Sequence, residues 1–141
     1  MPSAKFIVVV SLIIEQNGSV LLVRRSMSSE HAPGEWESVS GRVESGESPR
    51  EAAQREALEE TGLDVEVLNL LDTFHFYRGS GREEAIGLSF RCRVIGGQLR
   101  LSAEHTASVW VAKDDTSAYA LPQGLLRCID IVLDGSGVRN C

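Results

Sequence analysis

The sequence predicts an α+β fold in which a mixed β-sheet carries at least two helices. Three observations support this: Val- and Ile-rich runs of strand length, a hairpin signal at Asn17-Gly18, and two segments with helical features. The 141 residues are expected to form a single domain, because two domains would each need a core built from about 70 residues. We expect this core to span about residues 5–133 and the tail, 134–141, to be flexible.

The strands are predicted from apolar runs and from the turns between them. Residues 5–14 read as a buried strand, Asn17-Gly18 turns the chain, and Val20–Arg24 returns. A short strand is expected at Trp36–Val39 within a loop-rich stretch. The later predicted strands are Val65–Phe76, Glu84–Val94 and Val109–Val111, with turns at Gly79-Ser80-Gly81 and at Gly96-Gly97, before Leu99–Leu101.

The first helix has complete capping signals at both ends. Ser48 suits the N-cap, Pro49 suits the first helical position, and Glu51 completes a capping box with Ser48. Gly62 supplies a C-terminal stop. These signals predict a helix over 49–61. A second, amphipathic helix is predicted where apolar residues recur at helical spacing, namely Leu125, Leu126, Ile129, Val132 and Leu133.

Composition and charge exclude several classes of protein. A hydrophobic content of 43% is too high for a disordered chain, and no apolar segment reaches the ~20 residues of a membrane span. The net charge of −6 argues against binding long nucleic acid through a broad basic surface. The three cysteines, Cys92, Cys128 and Cys141, have no zinc-site spacing, and no secretory signal precedes the first strand, so we expect a cytoplasmic location.

Three acidic residues form one stripe on the first helix. Glu56, Glu59 and Glu60 stand at i, i+3 and i+4, so their carboxylates repel one another. A solvated acidic face is one explanation of this stripe. A bound Mg²⁺ ion is the other, because Mg²⁺ prefers oxygen ligands and commonly joins carboxylates to substrate phosphates.

The residues around the stripe favour the ion. Arg55 stands one turn from Glu59, where it could orient a carboxylate. The preceding loop runs from Gly41 to Glu47, and a glycine allows close approach of its backbone carbonyl to a metal. Residues 41–63 contain six acids and three arginines, a local charge of 3 − 6 = −3, so a polyphosphate would be repelled there unless divalent ions intervened.

Read together, these residues resemble the Nudix box, GX5EX7REUXEEXGU, in which U is a bulky aliphatic residue. The matching positions are Gly41, Glu47, Arg55, Glu56, Glu59, Glu60, Gly62 and Leu63. Ala57 is smaller than the usual aliphatic residue. Val39-Ser40-Gly41 stands where many relatives have Pro-Gly-Gly, which affects the substrate analogy more than the hydrolase assignment.

The resemblance implies an α/β/α sandwich, with the mixed β-sheet between helices. It implies cleavage of a nucleoside diphosphate linked to another group, or of a (d)NTP, with Mg²⁺ or Mn²⁺. The metal ligands would be Glu56, Glu59 and Glu60, with the Gly41 carbonyl and Glu104 as further candidates. Arg55 and Glu47 match the pair that braces the loop against the helix.

The carboxylate that takes the proton from the attacking water is either Glu59 or Glu104. Glu104 lies outside the box, six residues before Trp110, where several relatives carry a further acidic residue, and His105 beside it could assist. Glu83 and Glu84 flank a hairpin turn, and we expect both to face solvent.

Substrate contacts are expected from basic and aromatic side chains. Arg24 or its neighbour Arg25 could bind phosphate, but at most one of them, because successive strand residues face opposite sides. Arg42 adjoins the box and is a further candidate. Tyr77 could stack on a base or pack in the core. Phe74 and Phe76 are expected in the core, and His75 at the surface.

These observations favour a metal-dependent pyrophosphohydrolase acting on a small nucleotide-type substrate. The alternative is a non-catalytic nucleotide-sensing module, which the complete box disfavours. A membrane partner is not expected. A homodimer is only a general expectation, because twofold dimers are the commonest oligomers.

Overall fold

The first strand organises a seven-stranded mixed sheet. The structure is a computed structural model that describes residues 5–134. Its strands are β1 (Ile7–Gln16), β2 (Ser19–Arg25), β3 (Trp36–Glu37), β4 (Val39–Arg42), β5 (Leu63–Arg78), β6 (Glu83–Gly97) and β7 (His105–Ala112). The helices are α1 (Pro49–Thr61), a 3-10 helix (Lys113–Ala118) and α2 (Gln123–Asp134).

Strand β1 has neighbours on both edges. On one edge it runs parallel to β6, with Val9 opposite Gly87. On the other edge it pairs antiparallel with β4 near its start and with β2 near its end. Strand β2 in turn pairs with β3 and β7. The β1–β4 pairing sets Gly41 opposite Val10 at the start of the loop that leads into α1.

The two helices cover opposite faces of the sheet, so the molecule is the expected α/β/α sandwich. Helix α1 packs through Ala52, Ala53 and Ala57, whose small side chains are fully buried and bring the helix backbone close to the strands. Helix α2 buries Ile129 and Val132 against the other face. Ala57, which is smaller than the aliphatic residue usual at this position of the box, therefore allows α1 to pack closely on the sheet.

The predicted helix bounds of 49–61 are confirmed, and so are the strand positions in outline. The single strand predicted at Trp36–Val39 is two strands, β3 and β4. Gly96 and Gly97, predicted in a turn, still pair with Asp64 and Leu63 as the end of β6.

The segment after β6 and the end of α2 also bear on the predicted elements. The chain after β6 forms no strand at Leu99–Leu101 and instead supplies hydrogen bonds to the end of α1, from Arg100 N to Thr61 O (2.7 Å) and from Ser102 N to Glu60 O (3.0 Å). Asp134 closes α2, and the rest of the predicted tail, 135–141, lies outside the described residues. Within residues 5–134, both α-helices are too short to cross a bilayer.

Candidate active site

Helix α1 begins at its capping box, and the three acids of its stripe differ in how far they are exposed to solvent. The capping box is formed: Glu51 N donates to Ser48 Oγ (3.1 Å), and Ser48 N donates to Glu51 Oε1 (2.8 Å). Glu60 is buried, with its side chain 7% exposed, and Glu56 is nearly so at 13%. Glu59, one turn after Glu56, is 60% exposed. The stripe thus runs from solvent into the protein interior.

Gly41 forms the floor under the Glu56 carboxylate. A Cβ atom built on Gly41 would come 1.8 Å from Glu56 Oε2, far inside van der Waals contact. The absence of a side chain at this position lets the carboxylate rest against the β4 backbone. The requirement for glycine is therefore one of space.

Arg55 holds the preceding loop and the helix together. Its guanidinium donates two hydrogen bonds to Glu47, from Nε to Oε2 (2.6 Å) and from Nη2 to Oε1 (3.0 Å). It also donates to the Arg42 carbonyl (2.8 Å) and to Glu59 Oε1 (3.1 Å). The hydrogen bond to Arg55 lowers the pKa of Glu47, and the same bond raises the pKa of Arg55. The predicted brace between Glu47 and Arg55 has this geometry.

The two inner carboxyl groups oppose each other's ionisation. Burial, and after it the neighbouring Glu56, Glu104 and Glu37, together raise the pKa of Glu60 to about 10. Burial also raises the pKa of Glu56, although Arg55 and a hydrogen bond with Glu60 act against this. Such a pair keeps a proton at neutral pH unless a cation replaces it. The residues therefore fit a divalent ion.

A second group of polar side chains lies beside Glu60. Glu60, Glu104 and His105 each offer one possible ligand atom, and these atoms lie within 4.8 Å of one another. Glu104 is exposed and His105 is buried. His105 Nε2 lies 2.9 Å from Glu37 Oε2, and Glu37 also accepts from Arg25 Nη1 (3.0 Å). Glu104 therefore lies close to Glu60 of the acidic stripe.

A cleft of about 530 Å³ opens between the sheet and α2, next to Glu37. Ser11 Oγ and Ser38 Oγ lie on its floor, hydrogen-bonded to each other (2.7 Å). Phe74 and Phe76 stack with their ring centres 5.5 Å apart and line one wall. At the rim, Arg127 Nη2 lies 3.5 Å from Asp72 Oδ2. The cleft combines aromatic faces with polar groups, as small-molecule sites do.

The prediction that Phe74 packs in the core is wrong. Phe74 is 38% exposed and Phe76 is half-buried, because both rings lie on the α2 face of the sheet where α2 leaves the strands uncovered. Phe74 covers the backbone of Gly87, where a Cβ would come 2.1 Å from its ring. The two rings therefore line a ligand-sized space.

The other predicted substrate residues lie outside the cleft, whose described lining includes none of Arg24, Arg42 and Tyr77. Arg24 donates to the Gly34 carbonyl (2.8 Å) and Arg42 to Glu83 (2.9 Å). The exposed Tyr77 lies under the Arg82 guanidinium, 5.0 Å from the ring centre.

The remaining acids and bases follow the sequence prediction in part. Arg25 takes part in the Glu37 pair described above, and the strand pairing shifts register between Arg24 and Arg25. Glu84 is engaged by the exposed His75 at 2.6 Å. Glu37 was not singled out from the sequence, although an acid within a short apolar strand is a signal that could have identified it.

Comparison with known proteins decides the family. A family model described as a NUDIX domain matches residues 5–129. The chain belongs to the Nudix family. As a Nudix hydrolase it acts on pyrophosphate bonds, and hydrolases of this family generally use divalent metal ions.

Individual relatives agree with this assignment. A MutT-like protein of Streptomyces ambofaciens is 33% identical over 136 residues, which is 96% of this Nudix chain and 82% of that protein. A CTP pyrophosphohydrolase of Escherichia coli (strain K12) is 36% identical over 117 residues, 83% of this chain and 84% of that one. The crystal structure of a MutT protein from Methanosarcina mazei Go1 superposes with a TM-score of 0.75 at 25% identity, covering 97% of this chain and 99% of that one.

Proposed function

We propose that this Nudix hydrolase cleaves the pyrophosphate linkage of a nucleoside triphosphate, or of a nucleoside diphosphate joined to another group, with Mg²⁺ as its ion. The observation that carries the proposal is the buried Glu56–Glu60 pair on α1, in which the pKa values of both carboxyl groups are raised. A cation with its phosphate ligands would relieve this mutual repulsion. Mn²⁺ would serve in place of Mg²⁺, because both accept oxygen ligands.

Each acidic residue has a proposed task in the reaction. Glu56, Glu59, Glu60 and the Gly41 carbonyl would hold the ion, which when bound neutralises phosphoryl charge and lowers the pKa of a coordinated water. Glu59 is the base we propose, because its exposed carboxylate reaches solvent while Arg55 orients it through the 3.1 Å hydrogen bond. Arg55 and Glu47 keep the Gly41–Glu47 loop in register with α1.

The cleft on the α2 face is the proposed site for the nucleoside. Phe74 and Phe76 offer ring faces on which a base can stack, and the volume of about 530 Å³ falls in the range of small-molecule sites. Glu37 lies in the lining of this cleft and contacts His105, which stands beside Glu60. A nucleotide in the cleft would thus extend its phosphates toward the acidic stripe. The relative named as a CTP pyrophosphohydrolase supports a nucleoside triphosphate as substrate.

A substrate panel tests the proposal. Nucleoside di- and triphosphates and nucleoside diphosphate sugars are incubated with Mg²⁺ or Mn²⁺, and release of phosphate or pyrophosphate is measured. We expect turnover of at least one member that EDTA abolishes and that Glu59→Gln reduces by a factor of about 10² or more. Glu66→Gln, at an exposed acid on β5, is the matched control and retains activity. Nucleotide binding without any turnover would contradict the proposal and favour the sensing module.

The rival base is tested in the same assay. Glu104→Gln removes a carboxylate that is exposed beside Glu60, and we expect it to lower turnover less than Glu59→Gln does. A reversed order of the two variants would transfer the role of base to Glu104.

A further inference from the structure

His105 has a ring nitrogen that the fold buries without a partner. Its side chain is only 2% exposed, and within residues 5–134 Nδ1 has no hydrogen-bond partner. An unsatisfied buried polar atom destabilises the folded state, so such atoms are rare unless they serve a purpose.

Nδ1 faces the acidic stripe of α1. It lies 3.7 Å from Glu60 Oε1, beyond hydrogen-bonding distance but close for two atoms that bind one ion. Ligand atoms that are each about 2.1 Å from a shared ion lie roughly 3–4.2 Å apart. Glu104, from an exposed position, offers a carboxylate oxygen within 4.8 Å of one possible ligand atom on each of Glu60 and His105.

Glu37 determines the chemical form of the ring. A carboxylate can only accept hydrogen bonds, so the 2.9 Å contact with Glu37 Oε2 requires the proton on Nε2. In the neutral ring the lone pair is then on Nδ1, toward Glu60. A carboxylate that fixes the tautomer of a histidine in this way is the usual companion of a metal-bound imidazole. Arg25 holds Glu37 in turn, through Nη1 at 3.0 Å.

We propose that His105 Nδ1 is a nitrogen ligand for a divalent transition-metal ion, bound together with Glu60 and Glu104. Glu37 is the positioning residue for this ligand. Imidazole binds first-row transition ions better than it binds Mg²⁺, so the nitrogen gives the centre a preference for ions such as Mn²⁺ over Mg²⁺. This inference rests on the proposed metal dependence, to which it adds the identity of one ligand and the resulting selectivity.

Electron paramagnetic resonance of bound Mn²⁺ tests the ligand directly. Pulsed measurements on the full chain detect nitrogen bonded to the ion, and incorporation of ¹⁵N-histidine changes that signal without altering the protein. We expect a nitrogen coupling that shifts on labelling, disappears in His105→Gln and persists in His75→Gln, at an exposed histidine of β5. Bound Mn²⁺ without a histidine coupling in the unaltered chain would overturn the inference and leave the proposed hydrolase intact.

Affinity measurements separate the ligand from its positioning residue. Competition between Mn²⁺ and Mg²⁺ should show that His105→Gln lowers Mn²⁺ affinity about tenfold more than Mg²⁺ affinity. Glu37→Gln should weaken Mn²⁺ binding about tenfold while the nitrogen coupling remains. Equal losses for both ions in His105→Gln would overturn the inference. If Mn²⁺ does not bind at all, the inference fails, and the substrate panel then decides the proposed function independently.

Discussion

Gly41 and Glu56 are in closer contact than any residue with a side chain at position 41 would permit. The Glu56 carboxylate occupies the space of the missing Cβ, 1.8 Å from where that atom would stand. The pairing of β4 with β1 holds the glycine in place, whereas the carboxylate lies at the end of a flexible side chain on α1. The geometry of the acidic stripe therefore depends on a contact between a strand backbone and a helix side chain.

Substitution of Gly41 should cost activity more than stability. In Gly41→Ala the new methyl group pushes Glu56 out of its position, and a displacement of about 1 Å commonly costs 10²-fold in rate. We expect kcat with Mg²⁺ to fall by about that factor, while thermal unfolding changes little. Gly81→Ala, in an open turn where a Cβ meets nothing, is the control. Full activity of Gly41→Ala would show that the Gly41–Glu56 contact is dispensable.

Replacement of Arg55 by lysine should impair the site although the charge is retained. Lysine cannot make the paired bonds to Glu47 and also reach the Arg42 carbonyl, because it lacks the planar fork of the guanidinium. We expect Arg55→Lys to lower kcat by roughly 10-fold to 100-fold. Arg93→Lys, in a surface pair with Glu66, should leave kcat unchanged. Equal effects of the two variants would indicate that only charge matters at position 55.

The stability of the metal-free protein should fall as the pH rises. The pKa of Glu60 is raised from 4.5 to about 10 in the folded chain, so between these values the folded state binds more protons than the unfolded state. The stabilising contribution is then complete below about pH 4.5 and is lost as the pH rises toward 10.

The thermal midpoint in EDTA measures this effect. We expect the midpoint of the unaltered chain, relative to Glu60→Gln, to decline between about pH 5 and about pH 9, and saturating Mg²⁺ to reduce the decline. Glu66→Gln, which alters an exposed acid, serves as the reference for a change of surface charge. If the thermal midpoint of the unaltered chain, relative to Glu60→Gln, rises between these pH values, the expected loss of stability is contradicted.

Phe74 should affect substrate affinity more than the chemical step. Its ring lies in the cleft wall beside Phe76 and away from the acidic stripe, so it contacts the ground state and the transition state alike. Stacking of a base on an aromatic ring contributes about 1–3 kcal/mol, which predicts an increase in KM of about 5-fold to 150-fold in Phe74→Ala. Ile95→Ala, at an exposed residue of β6, is the control. A larger increase in KM for Tyr77→Ala than for Phe74→Ala would place the nucleotide base on the opposite face of the sheet.

Local signals allowed the reactive helix to be predicted almost completely. Ser48 and Gly62 determine the ends of α1 through contacts within a few residues, and the spacing of Glu56, Glu59 and Glu60 follows from the helical repeat. The bracing of Glu47 by Arg55 spans only eight residues. Features of this kind depend on neighbours in the sequence, which is why the motif is informative.

Long-range features were beyond such reasoning. The exposure of Phe74 depends on where α2 stops covering the sheet, and α2 is about fifty residues away along the chain. The role of Glu37 requires β3 to lie beside β2, next to the start of β7, where His105 stands 68 residues further on. Alternation along a strand predicts that its side chains point to two opposite faces of the sheet. It does not predict which part of either face a helix leaves uncovered.

The small residues of α1 have a consequence for how this enzyme can change. Ala52, Ala53 and Ala57 belong to one buried cluster, whereas Ile129 and Val132 of α2 belong to another, and within residues 5–134 these two clusters share no member. In the proposed mechanism, the acidic residues that would hold the ion therefore lie on one layer, and the α2 residues that border the cleft lie on the other. Substitutions of the α2 residues at the cleft would then alter which nucleotide fits without disturbing the packing that holds α1 on the sheet.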